Sequence, residues 1–343
     1  MASPITGIGW HLLGAVMAAT FYVPIERVKT WSWETTWAIS GLFSWILAPV
    51  GVTFLLLPHV RPFYGQFDPA LLVRIALFGA LWGVGSITYG LTVRHLGLSL
   101  GIGMAIGITL TVGTLLPPLV AGQAALLFAT RAGLISMAGV AVSLVGVAIV
   151  TVAGHRKERE HKGNVAEFNL PLGVTMAVLC GFSSSGMSFG IAAAKPLEHA
   201  ALSLGVNPLY AALPAYVLIM GGGSLVNWCY CLVRMRLLRH SPLADLRQPL
   251  PALAHNTALA ATGGFMWYLQ FFFYAWGAAN IPQSLSYVNW MLHMSGYVLC
   301  GTLAGLALGE WKGVDARSIR ILCAGIVLIV AAANLVGLGM AAS

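Results

Sequence analysis

The sequence has 343 residues, of which 58% are hydrophobic and only 8% carry a charge, too few for a soluble protein of this length. The net charge of +8 does not indicate a nucleic-acid partner, because the bases lie in short segments between apolar stretches, where membrane topology explains them. The five cysteines fall within apolar stretches and do not show the spacing of a metal site. The composition predicts a membrane protein without a metal or other cofactor.

Ten apolar stretches follow one another along the chain, each suited to a membrane helix of roughly 20 residues. Their expected limits are 4–25, 36–58, 70–93, 96–121, 131–154, 171–193, 206–233, 253–277, 283–309 and 318–341. The predicted fold is an all-α polytopic membrane protein with ten transmembrane helices. We expect a first five-helix repeat at 1–154, a cytoplasmic linker loop at 155–170 and a second five-helix repeat at 171–343.

The distribution of basic residues predicts the orientation of these helices. All of the 18 lysines and arginines except Arg61, Arg74, Arg131 and Lys195 fall on one side of the predicted membrane. By the positive-inside rule that side is cytoplasmic, which places both termini on the outer side. Because each half has five helices, the second half enters the membrane in the opposite direction, as in the inverted repeats of many secondary transporters.

The eighth and ninth stretches have an unusual composition. Residues 248–309 include no Asp, Glu, Lys or Arg, yet they carry tryptophan, tyrosine, glutamine, asparagine and histidine. A simple membrane anchor needs only aliphatic side chains, and polar groups within a bilayer usually serve a function. This region therefore indicates a protein that handles a polar, hydrogen-bonding solute inside the membrane.

Helical spacing places several of these polar and aromatic side chains on shared faces. Trp267, Gln270 and Tyr274 follow an i, i+3, i+7 pattern, and Trp290 and His293 share a face of the next helix. Aromatic rings suit the C–H face of a sugar, and amides suit its hydroxyls. The candidate solute contacts are Trp267, Gln270, Tyr274, Asn289, Trp290, His293, His11, Tyr22 and Lys195.

Two of these interpretations have alternatives. Tryptophan and tyrosine also form the aromatic belt at the membrane surface, which is the interpretation that we adopt for Trp31, Trp33, Trp37 and Trp311. The ammonium group of Lys195 is equally compatible with an extended side chain that reaches the lipid headgroups.

No acidic residue lies in the middle of a predicted span, so a coupled proton requires another carrier. His11 and His293 lie within spans, and a histidine titrates near ambient pH. The alternative for each is a neutral imidazole that forms a hydrogen bond between helices. Glu34 and Glu310, at span ends, are two further candidates for proton coupling. Because His11, Gln270 and Tyr274 fall in the outer half of the membrane, we expect the solute cavity to be wettest toward the outside.

Enzyme signatures are absent from the sequence, which has no zinc-protease motif, nucleophile elbow or phosphate-binding loop. We therefore expect a transporter that is driven by an ion gradient. The alternatives are an exporter or carrier of a different small polar metabolite, a membrane sensor or assembly subunit without transport, and an embedded transferase. A sensor usually has a sizeable soluble output domain, and a transferase needs catalytic groups that the spans lack.

Several segments resemble a known family over essentially the whole chain. They are WSWET at 31–35, YGLT at 89–92, GIGMAIGITL at 101–110, AKP at 194–196, MWYLQFFFYAWG at 266–277 and WMLHM at 290–294. The sequence is similar to the bacterial L-rhamnose/proton symporters of the drug/metabolite transporter superfamily. The resemblance implies uptake of L-rhamnose, with L-lyxose and L-mannose as further candidates, together with a proton across the inner membrane. The expected partners are this sugar, the proton and membrane lipid.

Overall fold

The computed structural model describes residues 4–57, 59–96, 98–160, 169–239, 241–307, 309 and 311–341, and within these ranges it is helical without strands. The helices of the first half are α1 (Pro4–Thr20), α2 (Tyr22–Ile25), α3 (Trp33–Gly41), α4 (Ala48–Leu56), α5 (Val60–Gly65), α6 (Pro69–Leu96), α7 (Leu98–Val120), α8 (Ala124–Phe128) and α9 (Arg131–Glu160). Those of the second half are α10 (Leu170–Ser184), α11 (Gly186–Ala193), α12 (Lys195–Ser203), α13 (Ala215–Leu237), α14 (Pro242–Leu246), α15 (Leu250–Ala279), α16 (Val288–Ala307) and α17 (Ala316–Ala341).

Length and hydropathy identify 8 candidate membrane spans within the described residues, so the protein is an all-helical polytopic membrane protein. These spans are α1 with α2, α3 with α4, α6, α7, α9, α10 to α12, α13 and α17. Helices α15 and α16 occupy the eighth and ninth predicted stretches but are not among the 8. Their tryptophan, tyrosine, glutamine, asparagine and histidine residues lower the mean hydropathy of both helices.

Two predicted boundaries differ from the structure. The seventh stretch was expected from residue 206, but α13 begins at Ala215, because Asn207, Pro208 and Pro214 favour the turns that precede it. The linker was expected from residue 155, but α9 continues to Glu160. Lys157 and Arg159 in its last turn favour this extension, since positive charge complements the carboxyl end of a helix. Residues 161–168 of the predicted linker lie outside the described part of the chain.

The first helical segment of each half is interrupted partway along. The helix that starts at Pro4 breaks at Phe21, and Pro24 explains the break because it has no N–H to donate to the carbonyl of Thr20. The helix that starts at Leu170 breaks at Ser185, whose hydroxyl donates to the Phe182 carbonyl at 2.6 Å. Serine bonds of this kind compete with the helical ladder and bend membrane helices. Both halves therefore begin with a broken helix.

Glycines allow the long helices to approach one another closely. Gly139 and Gly146 of α9 face α17, where a Cβ on either residue would lie about 3 Å from the partner helix. Gly325 of α17 faces α9 in the same way, and the order of these contacts shows that the two helices are antiparallel. Helices α6 and α13 are packed still more closely through Gly79 and Gly222. Small residues at such contacts are the usual means of helix association in lipid.

Candidate solute and proton site

A central cavity of about 130 Å³ lies between the two halves of the chain. The first half contributes side chains or backbone from α3, the π-helical segment Leu42–Leu47 that follows it, α6 and α7, as well as Phe21. The second half contributes α10, α15 and α16. The lining residues are Phe21, Trp37, Trp45, Trp82, Gly85, Ser86, Tyr89, Ile106, Thr109, Cys180, Ser184, Trp267, Gln270, Phe271, Trp290, Met294 and Tyr297. Aromatic rings with a few amide and hydroxyl groups are a lining suited to a small polar solute.

Tryptophans of the first half form much of this lining, which the sequence analysis did not expect. The interpretation of Trp37 as a member of the aromatic belt is wrong, since this residue lines the cavity and its ring centroid is 5.9 Å from that of Trp45. Buried Asn227 of α13 accepts hydrogen bonds from Trp37 Nε1 at 3.4 Å and from Ser86 Oγ at 2.9 Å. Asn227 thereby orients two side chains of the lining.

Three N–H groups of the lining residues are buried without a hydrogen-bond partner among the described residues. They are Trp45 Nε1, Trp267 Nε1 and the Nε2 amino group of Gln270. An unpaired buried donor costs about 1–3 kcal/mol, so such groups are rare unless a ligand satisfies them. Hydroxyl oxygens of a solute are suitable acceptors for all three donors.

Five of the predicted residues form a compact group beside this cavity, here called the histidine cluster: His11, Gln270, Tyr274, Asn289 and His293. The ring centroids of His11 and His293 are 6.2 Å apart. The ring of Tyr274 packs edge-on against both imidazoles, with its centroid 5.1 Å from that of His11 and 5.4 Å from that of His293. Helices α1, α15 and α16 each contribute to the cluster, so their packing brings its members together.

Asn289 determines which nitrogen of His11 carries the proton. The Asn289 amide donates from Nδ2 to the Ser286 carbonyl at 2.9 Å, which leaves Oδ1 as an acceptor. His11 Nε2 lies 2.9 Å from that oxygen and is therefore the donor of the neutral ring. The other nitrogen, Nδ1, is buried and has no partner among the described residues. It is the position at which His11 can accept a further proton.

His293 is fully buried, with 0% of its surface exposed, and its Nε2 lies 3.4 Å from Gln270 Oε1. Its Nδ1 has no partner in the described part of the chain. Glycines allow α1 to approach this closely: a Cβ at Gly14 would lie 2.8 Å from the Gln270 carbonyl oxygen and 3.3 Å from His293 Cε1. A Cβ at Gly277 would lie 2.7 Å from the imidazole of His11. These contacts hold α1 directly against the cluster.

Trp290 connects the cavity with the cluster. Its indole N–H donates to the Thr109 carbonyl of α7 at 3.0 Å, and its ring centroid is 6.2 Å from that of Tyr274. Gly113 of α7 makes room for the indole, because a Cβ at this position would overlap Trp290 Nε1. Trp267, Gln270 and Trp290 are thus the predicted solute contacts that line the central cavity.

The remaining predicted residues lie in other surroundings. The Tyr22 hydroxyl accepts from Trp33 Nε1 at 3.2 Å at an exposed position. Lys195 Nζ forms an ion pair with Glu198 Oε2 at 2.8 Å. Glu34 lies in the first turn of α3 and pairs with Arg234 at 3.6 Å. Glu310 lies outside the described residues.

A second cavity of about 250 Å³ adjoins the central one and shares Ile106 and Tyr297 with it. It is bounded by α7, α9 and α16 and reaches Lys157 and Trp311, whose ring centroid is 5.0 Å from Lys157 Nζ. Lys157 belongs to the basic side of the sequence-based topology. The expectation that the cavity is wettest toward the opposite, outer side stays a prediction.

The sequence carried a signal for the missed tryptophans. Trp37 and Trp45 are eight residues apart, and Gly41 between them completes an i, i+4, i+8 face of the second predicted span. A Cβ at Gly41 would lie 3.0 Å from Trp45 Cη2, so this glycine accommodates the indole. Trp82 and Tyr89 are spaced i, i+7 on α6 in the same manner.

Long apolar helices that enclose an aromatic and amide-lined cavity, with two buried histidines beside it, define a membrane transporter for a small polar solute. The chain matches the model of the L-rhamnose-proton symport protein family over residues 1–342. An L-rhamnose-proton symporter of Salmonella dublin is 53% identical over 343 residues, which cover 99% of this chain and 100% of the relative. The corresponding protein of Yersinia pestis (strain Pestoides F) is 53% identical over 339 residues, or 98% of each chain. That of Escherichia coli is 52% identical over 343 residues, covering 99% of this chain and 100% of the relative.

The chain therefore belongs to the L-rhamnose-proton symport protein family. It is a multi-pass bacterial membrane protein, and its family is one of transporters rather than enzymes.

Proposed function

We propose that the chain imports L-rhamnose together with a proton across the bacterial inner membrane by alternating access. The identities of the sugar and of the coupled ion come from the names of its full-length relatives. The observation that carries the proposal is the central cavity, in which unpaired indole and amide N–H groups lie directly beside two buried histidines. The cavity suits a hydroxylated solute, and the cluster suits a proton.

The packing of the helices supports the ten-helix, two-repeat architecture. The first helix of one half packs on the third and fourth of the other: α1 on α15 and α16, and α10 on α6 and α7. The second helix of one half likewise packs on the third of the other, α3 on α15 and α13 on α6, while the fifth helices α9 and α17 pack on each other. This pattern is unchanged when the two halves are exchanged. Two repeats related by a pseudo-twofold axis would pack in this symmetric way. We therefore infer repeats at 1–154 and 171–343, joined by the linker at 155–170.

In this architecture α15 and α16 are the eighth and ninth spans, although their hydropathy is low. At 1.5 Å per residue, their 30 and 20 residues correspond to lengths of about 45 and 30 Å, enough for the hydrocarbon core. The buried face that α15 turns toward α1 carries Gln270 and Tyr274, so these groups avoid lipid. With the basic side in the cytoplasm, both termini are periplasmic and the second cavity is the release path past Lys157.

The roles of individual residues follow from their positions. We assign sugar contacts to the lining, with Trp37, Trp45, Trp267 and Trp290 as ring surfaces and Gln270 as a polar contact. His11 and His293 are the proton carriers, with Tyr274 and Asn289 as the side chains that position them. The ion pairs of Lys195 and Glu34, and the hydrogen bond of half-buried Tyr22 to exposed Trp33, favour structural roles for these three residues.

Uptake of labelled L-rhamnose into membrane vesicles tests this proposal. We expect accumulation under an inward proton gradient, none under a sodium gradient of the same size, and collapse on addition of a protonophore. Sodium-driven uptake would contradict proton coupling. Proton-driven loss of preloaded sugar, or transport of other metabolites but not of L-rhamnose, would favour the exporter or a carrier of a different metabolite.

Replacing Trp267 by Phe tests the role of its unpaired indole N–H. The substitution keeps an aromatic ring against the cavity but removes the donor, whose hydrogen bond to the sugar is worth about 1 kcal/mol. We expect the L-rhamnose concentration at half-maximal exchange to rise about fivefold. Trp276→Phe, which removes another buried indole N–H that is unpaired among the described residues, but from a residue outside the lining of both cavities, is the matched control and should leave the value unchanged. Equal values for wild type and Trp267→Phe would remove Trp267 from the sugar contacts.

A further inference from the structure

Gln270 touches both the sugar cavity and the proton site. Its side chain is 2% exposed and lines the central cavity together with Trp267 and Trp290. Its Oε1 faces His293 Nε2 at 3.4 Å, while its Nε2 has no partner among the described residues. One end of the amide therefore meets the imidazole, and the other end is available to a solute.

An amide in this position has two orientations of opposite hydrogen-bonding character. When His293 carries a proton on Nε2, the Gln270 oxygen accepts it and the NH₂ group is the free end. When the ring is neutral and carries its single proton on Nδ1, Nε2 is an acceptor, so the NH₂ group donates to it and the oxygen becomes the free end. The amide of Asn289 in the same cluster has no such freedom, because its Nδ2 is already bonded to the Ser286 carbonyl.

We propose that the Gln270 amide couples the protonation of His293 to sugar binding. This inference rests on the proposed function and assigns Gln270 a positioning role in addition to its contact with sugar. A proton on His293 Nε2 turns the NH₂ group toward the cavity, where it donates to a sugar hydroxyl. Loss of the Nε2 proton leaves the neutral ring with its proton on Nδ1 and turns the amide oxygen toward the same hydroxyl, which must then donate rather than accept. The proton and the sugar each favour one of the two amide orientations over the other. A shared two-state element of this kind is what coupling between two sites requires.

The titratable groups near His293 are few. His11 approaches it from α1 and Tyr274 from α15, with ring centroids at 6.2 and 5.4 Å. Helix α7 has no titratable side chain, and the titratable side chains of α9 lie in its first turn and its last two turns. The titratable side chains of α17 lie near its start, between Arg317 and Cys323. The proton that turns Gln270 is therefore held by the two histidines.

The pH dependence of sugar affinity tests this inference. Equilibrium exchange of labelled L-rhamnose, with the same pH on both sides of the vesicle, is measured at about pH 5 and about pH 8. For the wild type we expect the half-saturating sugar concentration to differ between the two pH values by about 5- to 150-fold, the usual range of site coupling. For Gln270→Met we expect weaker affinity at both pH values and a difference below about twofold.

Gln66→Met is the matched control, because Gln66 is exposed and donates only to the nearby Phe63 carbonyl. It should retain the pH dependence of the wild type. Gln270→Asn provides a second variant, which keeps the amide but shortens it by one methylene, and should lose the pH dependence likewise.

Gln270→Met with weaker affinity but the pH ratio of the wild type would make Gln270 a sugar contact alone and overturn the coupling role. Gln270→Met with affinity and pH ratio both unchanged would overturn it as well. A wild-type protein that does not exchange L-rhamnose would instead overturn the proposed function, and the coupling role with it.

Discussion

Replacing His293 by Gln is expected to abolish proton-driven accumulation of L-rhamnose while preserving exchange of internal for external sugar. Glutamine retains a hydrogen-bonding group opposite Gln270 but does not titrate, and His293 is completely buried beside the cavity. With one proton moved per sugar, each unit of pH gradient supports about tenfold accumulation. We expect about tenfold for the wild type and equal concentrations inside and outside for His293→Gln.

The measurement compares uptake under an imposed pH gradient with counterflow, each normalised to the amount of protein in the membrane. His255→Gln is the matched control, because His255 is exposed near the start of α15. It should accumulate sugar as the wild type does. Unchanged accumulation by His293→Gln would remove His293 from the proton path and leave His11 as the remaining buried imidazole of the cluster.

Substitution of Gly222 by Ala is expected to be the most destabilising of the small changes considered. A Cβ at Gly222 would overlap the Ala76 carbonyl oxygen and lie 2.9 Å from Ala80 N, so α13 and α6 must separate. Overpacking of this kind costs about 1–3 kcal/mol, and backbone atoms cannot move aside as flexible side chains do. We expect lower thermal stability in detergent and a smaller yield of folded protein.

The neighbouring Gly221 provides the control. A Cβ at Gly221 has no atom within 4 Å, so Gly221→Ala adds a methyl group without a clash. Its melting temperature should equal or exceed that of the wild type, since alanine favours helices. Equal stability of Gly221→Ala and Gly222→Ala would contradict the close approach of α6 and α13.

Many properties of the candidate site could be predicted from the sequence. Five predicted residues meet in the histidine cluster, because helical spacing had already placed Gln270 with Tyr274 on one face and His293 on a face of the next helix. The charge-free region from 248 to 309 identified the two helices that carry most of these groups. Their polarity also explains why hydropathy alone does not identify α15 and α16 as spans.

Other features depended on contacts between the halves. Trp37, Trp45 and Trp82 belong to the first half, and their helical spacing gives them shared faces without indicating that these faces meet Trp267 across a cavity. The charged groups of Lys195 and Glu34 were candidates because of their position along the chain, yet each is paired with a nearby opposite charge. A pairing of this kind depends on the position of the partner, as Arg234 of α13 illustrates.

The sequence by itself determined the class of protein, the approximate helices and, through its family, the sugar that we propose. Only the tertiary structure decided which helix faces enclose the cavity and on which side the second cavity lies. The physical reason is that lipid is as apolar as a helix interface, so hydrophobicity does not distinguish a lipid-facing side from a packed one. Close glycine contacts, such as that between Gly14 and Gln270, determine which helices pack together. These contacts exist only once the helices are assembled.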